Sequence, residues 1–179
     1  MASDPAHAAV RPRFAVVTAS DSSAAGTRPD VSGPLAAEIL EAAFGVPPLV
    51  VDVVPDDRES LERRLIGLTD GERCDLIVTT GGTGLAPRDV TPEATLAVVD
   101  RLVPGIAEAI RAGGMAKTPF AMLSRGVAGQ RGTCLIVNLA GSPKAVREQL
   151  AILIPVLPHA LSIAAGVAEG HPPSPPSAR

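Results

Sequence analysis

The sequence contains no tryptophan, no tyrosine and only three phenylalanines among its 179 residues. Sites for single-stranded nucleic acid stack bases on aromatic side chains, so this composition argues against such a site. The core must instead consist of valine, leucine, isoleucine and alanine. Hydrophobic residues make up 46% of the chain and charged residues 20%, which is typical of a soluble globular protein. The length favours one domain.

An excess of charge of either sign is also lacking. The chain carries 16 Lys and Arg against 19 Asp and Glu, a net charge of −3, and it has no basic run of the kind that binds nucleic acid. No nucleic-acid partner is therefore predicted. An anionic ligand would have to be bound locally, by loop N–H groups, a few arginines or lysines, or a metal ion.

Cysteine is scarce, and its placement argues against a disulfide or a zinc site. Cys74 and Cys134 are far apart and lack ligand spacing, so both are predicted to be reduced thiols in the core. Because residues 1–12 show no signal-peptide pattern, we expect a cytoplasmic protein.

Long uninterrupted hydrophobic runs are absent as well. The apolar runs at 150–157 and 160–167 are broken by prolines, and each is shorter than the roughly 20 residues that span a bilayer. They are predicted to be buried helix, with no membrane partner. Residues 1–12 and 169–179 have no periodicity and are expected to be disordered tails around a domain at 13–168.

Apolar runs of strand length alternate with helical patterns along the chain. Strands are predicted at 14–19, 49–54, 75–78 and 133–139, with a weaker strand at 121–125. Helices are predicted from a Ser32 cap to Gly45, at 61–71, at 91–102, at 106–112, from a Ser142 cap to Ile154, and from Pro158 onward. This alternation predicts an α/β fold, a three-layer α/β/α sandwich with a mostly parallel sheet.

Polar loops follow four of the predicted strands. In a parallel arrangement the loops after Thr18, Val54, Val78 and Val137 lie at one edge of the sheet, where α/β proteins bind ligands. That edge collects Ser20, Asp21, Asp56, Asp57, the segment 81–89 and the segment 138–144. Carboxylates, glycine-rich backbone and helix N-termini suit a metal-bound polyphosphate better than an apolar ligand.

Each of these features also has a purely structural interpretation. The run Gly81-Gly82-Thr83-Gly84 could simply form a tight turn, since it matches neither a P-loop nor the Gly-x-Gly-x-x-Gly pattern. Asp56 or Asp57 could cap the following helix. Asp89 could brace its own loop.

Other single residues are equally open to a structural role. Ser142-Pro143 is a good helix start whatever it binds. Arg88, Arg125 and Lys144 could be solvated charges. A serine hydrolase is excluded, because the sequence has no Gly-x-Ser-x-Gly elbow.

Three segments taken together carry a specific resemblance. They are TTGGTGLAPRDVTPEA at 79–94, TPFAMLSRGVAGQRG at 118–132 and NLAGSPKA at 138–145, with weaker matches at 19–27 and 54–56. In these segments the chain resembles the molybdenum-cofactor biosynthesis family that includes bacterial molybdopterin adenylyltransferase and the G domains of gephyrin and its plant counterpart. The similarity runs from about Phe14 to Val167 without large gaps.

The resemblance implies a molybdopterin-binding-domain-like fold, a homotrimer and a specific reaction. The phosphate of molybdopterin attacks the α-phosphate of ATP, and adenylyl-molybdopterin and pyrophosphate are formed. The adenylylated pterin then passes to a molybdenum insertase. Molybdopterin and ATP are the implied substrates, and Mg²⁺ is the implied cofactor.

The resemblance also implies roles for particular residues. Asp56 and Asp89 match the essential carboxylates and the implied Mg²⁺ ligands. The implied nucleotide-binding residues are Gly81, Gly82, Thr83, Gly84, Asn138, Gly141, Ser142 and Pro143. The implied pterin-binding residues are Ser20, Asp21, Ser124 and Arg125.

One position departs from the family pattern within these motifs. Ala140 stands where the family commonly has proline, which removes a φ constraint but no hydrogen-bonding group, so we expect a modest effect. The sequence leaves two alternatives to the enzyme. They are a non-catalytic molybdopterin-binding or scaffolding relative and a generic nucleotide-binding regulator.

Overall fold

The computed structural model describes residues 11–167, and within that range the chain forms one mixed sheet with helices on both sides. The strands are β1 Phe14–Ala19, β2 Val50–Val54, β3 Leu76–Thr80, β4 Arg101–Leu102, β5 Ala128–Arg131 and β6 Cys134–Leu139. The helices are α1 Asp21–Ala24, α2 Ser32–Phe44, α3 Arg58–Ile66, α4 Thr91–Val98, α5 Pro104–Met115, α6 Pro143–Leu153 and α7 Leu157–Ala164. A π-helical turn, Gly67–Gly71, follows α3, and a 3₁₀ helix spans Pro119–Leu123.

The sheet order is β2-β1-β3-β6-β5-β4. Strands β2, β1, β3 and β6 are parallel, while β5 pairs antiparallel with both β6 and β4. The prediction of a mostly parallel sheet is therefore confirmed. The carboxyl ends of the four parallel strands meet at one edge, as the sequence indicated.

Alternate residues of β1 face two separate hydrophobic clusters. Phe14 and Val16 pack with apolar residues of α2, α5, α6 and α7. Ala15 and Val17 pack with those of α3 and α4 on the opposite face. Because a strand presents successive side chains to opposite faces, this continuous apolar run lies in the middle layer. The predicted three-layer α/β/α arrangement is confirmed.

The helix N-termini agree with the sequence at two positions and differ at a third. Ser142 accepts a hydrogen bond from Ala145 N at the start of α6, and Asp57 accepts one from Ser60 N at the start of α3. The expected Ser32 cap of α2 is wrong. Asp30 Oδ1 accepts from Ser32 N and Gly33 N instead, and Ser32 Oγ donates to the carbonyl of Gly141.

Two predicted elements are also wrong. The weak strand at 121–125 is part of the 3₁₀ helix and its end, and the strand that joins the sheet is β5, a few residues later. The helix predicted at 91–102 ends at Val98, because Arg101 and Leu102 pair with β5 as the edge strand β4.

The two cysteines are free and buried, as predicted. Burial raises the pKa of the Cys74 thiol to about 11 and also raises the pKa of Cys134. Both thiols are therefore protonated and unreactive at neutral pH.

The apolar C-terminal runs form α6 and α7. No single helix in residues 11–167 is long and apolar enough to cross a bilayer, and only α6 and α7 together, bent by 66° at their junction, have the length and composition. Leu150, Leu153 and Leu157 of this pair are fully or almost fully buried in the core. The tails expected to be disordered lie almost wholly outside the described residues.

Candidate functional site

The four loops at the carboxyl edge contact one another directly. Asp21 N donates to Asp56 Oδ2 over 2.9 Å, and Asp56 N donates to Asp21 Oδ1 over 3.0 Å, which joins the loops after β1 and β2. Gly81 N donates to the carbonyl of Leu139, which joins the loops after β3 and β6. The predicted gathering of these loops is confirmed.

The glycine loop after β3 requires its first two glycines. Gly81 and Gly82 have φ values of 87° and 61°, in the left-handed region that other residues rarely adopt. A Cβ on Gly81 would also lie 2.4 Å from the carbonyl oxygen of Ala19. The loop backbone therefore lies closely against the end of β1.

Two half-buried carboxylates flank this loop. Asp56 Oδ1 lies 3.4 Å from the position that a Cβ on Gly82 would take, and Asp89 Oδ2 lies 2.8 Å from the corresponding position on Gly84. Asp89 Oδ2 also accepts a hydrogen bond from Ala86 N over 2.8 Å, so Asp89 braces its own loop. Asp89 can brace the loop through Oδ2 and still contact a ligand, because Oδ1 is not used in that bond.

Asp56 and Asp21 differ in their electrostatic surroundings. Burial raises the pKa of Asp56, and the charges of Asp21 and Asp89 act in the same direction. The Arg88 guanidinium forms a bidentate pair with Asp21 and lowers the pKa of that carboxyl. Arg88, which could have been an ordinary solvated charge, is thus paired across two of the loops.

Arg125 is tied to the glycine loop on several sides. Its Nε donates to the carbonyl of Gly84 over 2.6 Å, its Nη2 donates to the carbonyl of Asp89, and its guanidinium pairs with Glu93. Arg125 N also donates to the carbonyl of Thr83. The side chain therefore fixes the loop against α4, and the pterin contact implied for it stays a prediction.

Asn138 is buried at the root of the next loop. Its Nδ2 donates to Thr79 Oγ1 over 3.0 Å and to Thr95 Oγ1 over 2.9 Å, and its Oδ1 accepts from Val127 N. Both amide hydrogens are thereby used. Asn138 holds β6, β3 and α4 together below the site, and direct contact of this side chain with a nucleotide stays a prediction.

A cavity of about 460 Å³ opens beside the glycine loop. Seven of the implied site residues line it, namely Gly81, Gly82, Thr83, Gly84, Asp89, Ser124 and Gly141. The rest of the lining includes the apolar side chains Ile110, Phe120, Leu123 and Ile152. The remaining implied residues, Ser20, Asp21, Asp56, Arg125, Asn138, Ser142 and Pro143, are not part of this lining.

Residues 15–159 match a family described as a probable molybdopterin-binding domain. The chain belongs to this family.

Individual relatives cover most of the chain. A molybdopterin adenylyltransferase of Helicobacter pylori strain J99 is 41% identical over 153 residues, which span 84% of this chain and 86% of that protein. The crystal structure of the molybdopterin biosynthesis enzyme MoaB from Thermus thermophilus has a TM-score of 0.80 at 49% identity and covers 87% of this chain and 97% of that one. The molybdopterin biosynthesis Mog protein from Mycobacterium ulcerans has a TM-score of 0.79 at 44% identity, with coverages of 85% and 98%.

Within this molybdopterin-binding domain, Ala140 makes a contact that sequence reasoning missed. Its N–H donates to Gln149 Oε1 over 2.9 Å, and both residues line the cavity. The replacement of proline by alanine therefore adds a hydrogen-bonding group that the structure uses. Gln149 gave no signal in the sequence, because it is one polar residue on an amphipathic helix.

Arg111 is a second side chain that the sequence did not single out. It lines the cavity from α5, and its Nη1 donates to the carbonyl of Gly126 over 2.9 Å and to that of Ser124 over 3.4 Å. These bonds hold the segment that carries Ser124 against the helix. Ser124 Oγ accepts from Gly126 N over 3.3 Å.

The carboxylates of the site fit in number the Mg²⁺ that the resemblance implies. Among residues 11–167 no three His, Cys, Asp or Glu side chains group into a metal cluster. Mg²⁺ is commonly held by one or two carboxylates together with substrate phosphates. Asp56 and Asp89, on either side of the glycine loop, supply that number of carboxylates.

Proposed function

We propose that this chain is a molybdopterin adenylyltransferase, which transfers AMP from ATP to the phosphate of molybdopterin and releases pyrophosphate. Its place in molybdenum-cofactor biosynthesis follows from its family. The observation that carries the proposed chemistry is the position of Asp56 and Asp89 beside Gly82 and Gly84, with the cavity opening on the same loop.

The arrangement suits phosphoryl transfer because that chemistry depends on positioning and on neutralising charge. Asp56 and Asp89 would hold Mg²⁺, which supplies the positive charge that the phosphates need when they approach each other. The glycine loop lines the cavity, and phosphate would lie against its backbone. The N-terminus of α6, an 11-residue helix, adds a partial positive charge at the loop after β6.

The residues of this chain then divide the remaining tasks. Apolar side chains, Phe120 and Ile152 among them, line one side of the cavity. Arg125 and Asn138 keep the two ligand loops fixed relative to α4. Ser124, which lies on the cavity wall, would make the pterin contact that the resemblance implies.

The proposal includes two partners. The chain would act as a homotrimer, and its product would pass to a molybdenum insertase.

A non-catalytic molybdopterin-binding relative is the second candidate. It is disfavoured because Asp56 and Asp89 both stand at positions that match the essential carboxylates of the active enzymes.

Pyrophosphate release separates these functions. The purified protein is incubated with ATP and Mg²⁺, with and without molybdopterin. The adenylyltransferase releases pyrophosphate only when molybdopterin is present. Molybdopterin binding without release would favour the non-catalytic relative, and nucleotide binding that molybdopterin does not affect would favour a nucleotide-binding regulator.

A further inference from the structure

Thr91, the first residue of α4, carries a buried hydroxyl with no hydrogen-bond partner in the part of the chain that the structure describes. The residue is fully buried. An unsatisfied buried hydroxyl destabilises a protein, so it calls for an explanation. Other buried threonines of this chain do have partners, among them Thr18, Thr69 and Thr95.

The hydroxyl lies beside the glycine loop rather than in the hydrophobic core. Thr91 N donates to the carbonyl of Gly82 over 3.1 Å, which attaches α4 to the loop. Thr91 Oγ1 lies 2.4 Å from the position that a Cβ on Gly82 would take. The absence of a side chain at Gly82 is therefore what gives this hydroxyl its space.

Asp56 approaches the same point. Its Oδ1 lies 3.4 Å from the position of the missing Cβ, while its Oδ2 is held by Asp21 N. Among the described residues no donor is bonded to Oδ1. An unpaired donor on Thr91 and an unpaired acceptor on Asp56 thus border one small space.

We propose that Thr91 is a positioning residue for Asp56, whose hydroxyl donates to Oδ1 when the substrates are bound. With Oδ2 held by Asp21 N, this bond fixes the carboxylate through both oxygens. Donor and acceptor meet through a small movement of Thr91 towards Asp56 that keeps the bond from Asp21 N, and Gly82, which has no side chain, does not block this movement. The inference rests on the adenylyltransferase activity proposed above.

The role predicts an effect on turnover rather than on substrate binding. A reacting group displaced by a fraction of an ångström loses much of its effect on the transition state. The contacts proposed above for ATP and molybdopterin are made by other residues, the glycine loop and Ser124 among them. Loss of the hydroxyl therefore lowers kcat and leaves both KM values unchanged.

The test uses Thr91→Val, which removes the hydroxyl and keeps the shape of the side chain. We expect kcat to fall about tenfold, because the variant loses one hydrogen bond to a charged group. We expect the Tm to stay the same or to rise, because an unsatisfied polar atom is removed. Thr91→Ser keeps the hydroxyl and should keep a kcat close to that of the wild type.

Thr69→Val is the matched control, since the hydroxyl of Thr69 is bonded to the carbonyls of Leu65 and Ile66 away from the site. It should lower the Tm and leave kcat unchanged. A wild-type kcat in Thr91→Val would overturn this inference and leave the proposed function standing. A raised KM at unchanged kcat would do the same, because it would show that the hydroxyl contacts the substrate. A wild-type protein that transfers no AMP would overturn the proposed function and this inference with it.

Discussion

Single residues of this site combine a structural bond with a free polar atom. Asp89 braces its loop through Oδ2, and Asp56 accepts Asp21 N through Oδ2, so each keeps Oδ1 available. Burial raises the pKa of Asp56, and the charges of Asp21 and Asp89 also oppose its ionisation. An ionised Asp56 is therefore costly to the folded state in the absence of a cation.

Asp56→Asn should abolish AMP transfer and leave the fold intact. The sign of its effect on stability follows from the raised pKa of Asp56. Below the unfolded-state pKa of about 3.8, Asp56 is protonated in both states and does not destabilise the folded protein. As the pH rises through the higher pKa of the folded state, Asp56 ionises and the folded protein loses stability. Asparagine carries no charge, so the Tm of the variant should equal that of the wild type near pH 3 and exceed it at pH 7.

Thermal unfolding of both proteins between pH 3 and pH 7 measures this difference, in buffer free of divalent cations. Asp57→Asn is a useful comparison, because the bond from Ser60 lowers the pKa of Asp57. That variant should lose Tm relative to the wild type as the pH rises. A Tm for Asp56→Asn that falls below the wild-type value at pH 7 would contradict the account.

The sequence predicted which residues gather at this edge but not which atoms they leave free. Asp56 and Asp57 are adjacent, and either could have capped α3. The structure assigns the cap to Asp57 alone. The unpaired state of Thr91 depends on the distance between α4 and the glycine loop, which a one-dimensional pattern does not contain.

At the scale of elements, one of the hydrogen bonds that hold the loop between β6 and α6 is a bond that proline could not make. Ala140 N donates to Gln149 Oε1 one and a half turns into α6. A proline would fix φ but has no N–H. The bond to Gln149 thus restrains the loop in place of a ring.

Gln149→Leu should loosen this loop and raise the KM for ATP about fivefold, the equivalent of about 1 kcal/mol for one neutral hydrogen bond. Ala140→Pro should have a smaller effect, because the preceding residue is in an extended strand, which suits proline. Since both changes remove the same bond, the double variant should be no worse than Gln149→Leu. Steady-state kinetics of the three variants measures the coupling, and a wild-type KM for Gln149→Leu would refute the role of the bond.

The elements that the sequence placed correctly are those with strong hydrophobic patterns. Strands β1, β3 and β6 are buried on both faces and read as continuous apolar runs. Strand β5 has the sequence Ala-Gly-Gln-Arg, which shows no alternation. Its position is set by pairing with β6 and β4, so only the tertiary structure reveals it.

At the scale of the whole molecule, several large apolar side chains are exposed on the surface of the single chain. Phe120, Met122 and Leu123 are exposed near the cavity, and Leu49 and Val51 are exposed at the β2 edge. Contiguous exposed apolar patches commonly mark interfaces, so these side chains are candidates for contacts between subunits. The homotrimer that the resemblance implies stays a prediction.

Light scattering on protein eluted from a size-exclusion column should give a mass three times that of the 18.2 kDa chain. The mass should not change on dilution through the micromolar range if the interface is extensive. A monomer mass at all concentrations would rule out the trimer. It would leave the proposed chemistry unaffected, because the described site is formed within one chain.

The most direct test of the central claim is transfer of labelled AMP from ATP to molybdopterin by the purified protein in the presence of Mg²⁺. The account predicts an AMP-bearing pterin and an equal amount of pyrophosphate from the wild type, and neither product from Asp89→Asn that has an unchanged Tm. Undiminished transfer by Asp89→Asn would contradict the assigned carboxylate. Molybdopterin binding with no transfer by the wild type would contradict the proposed enzyme itself.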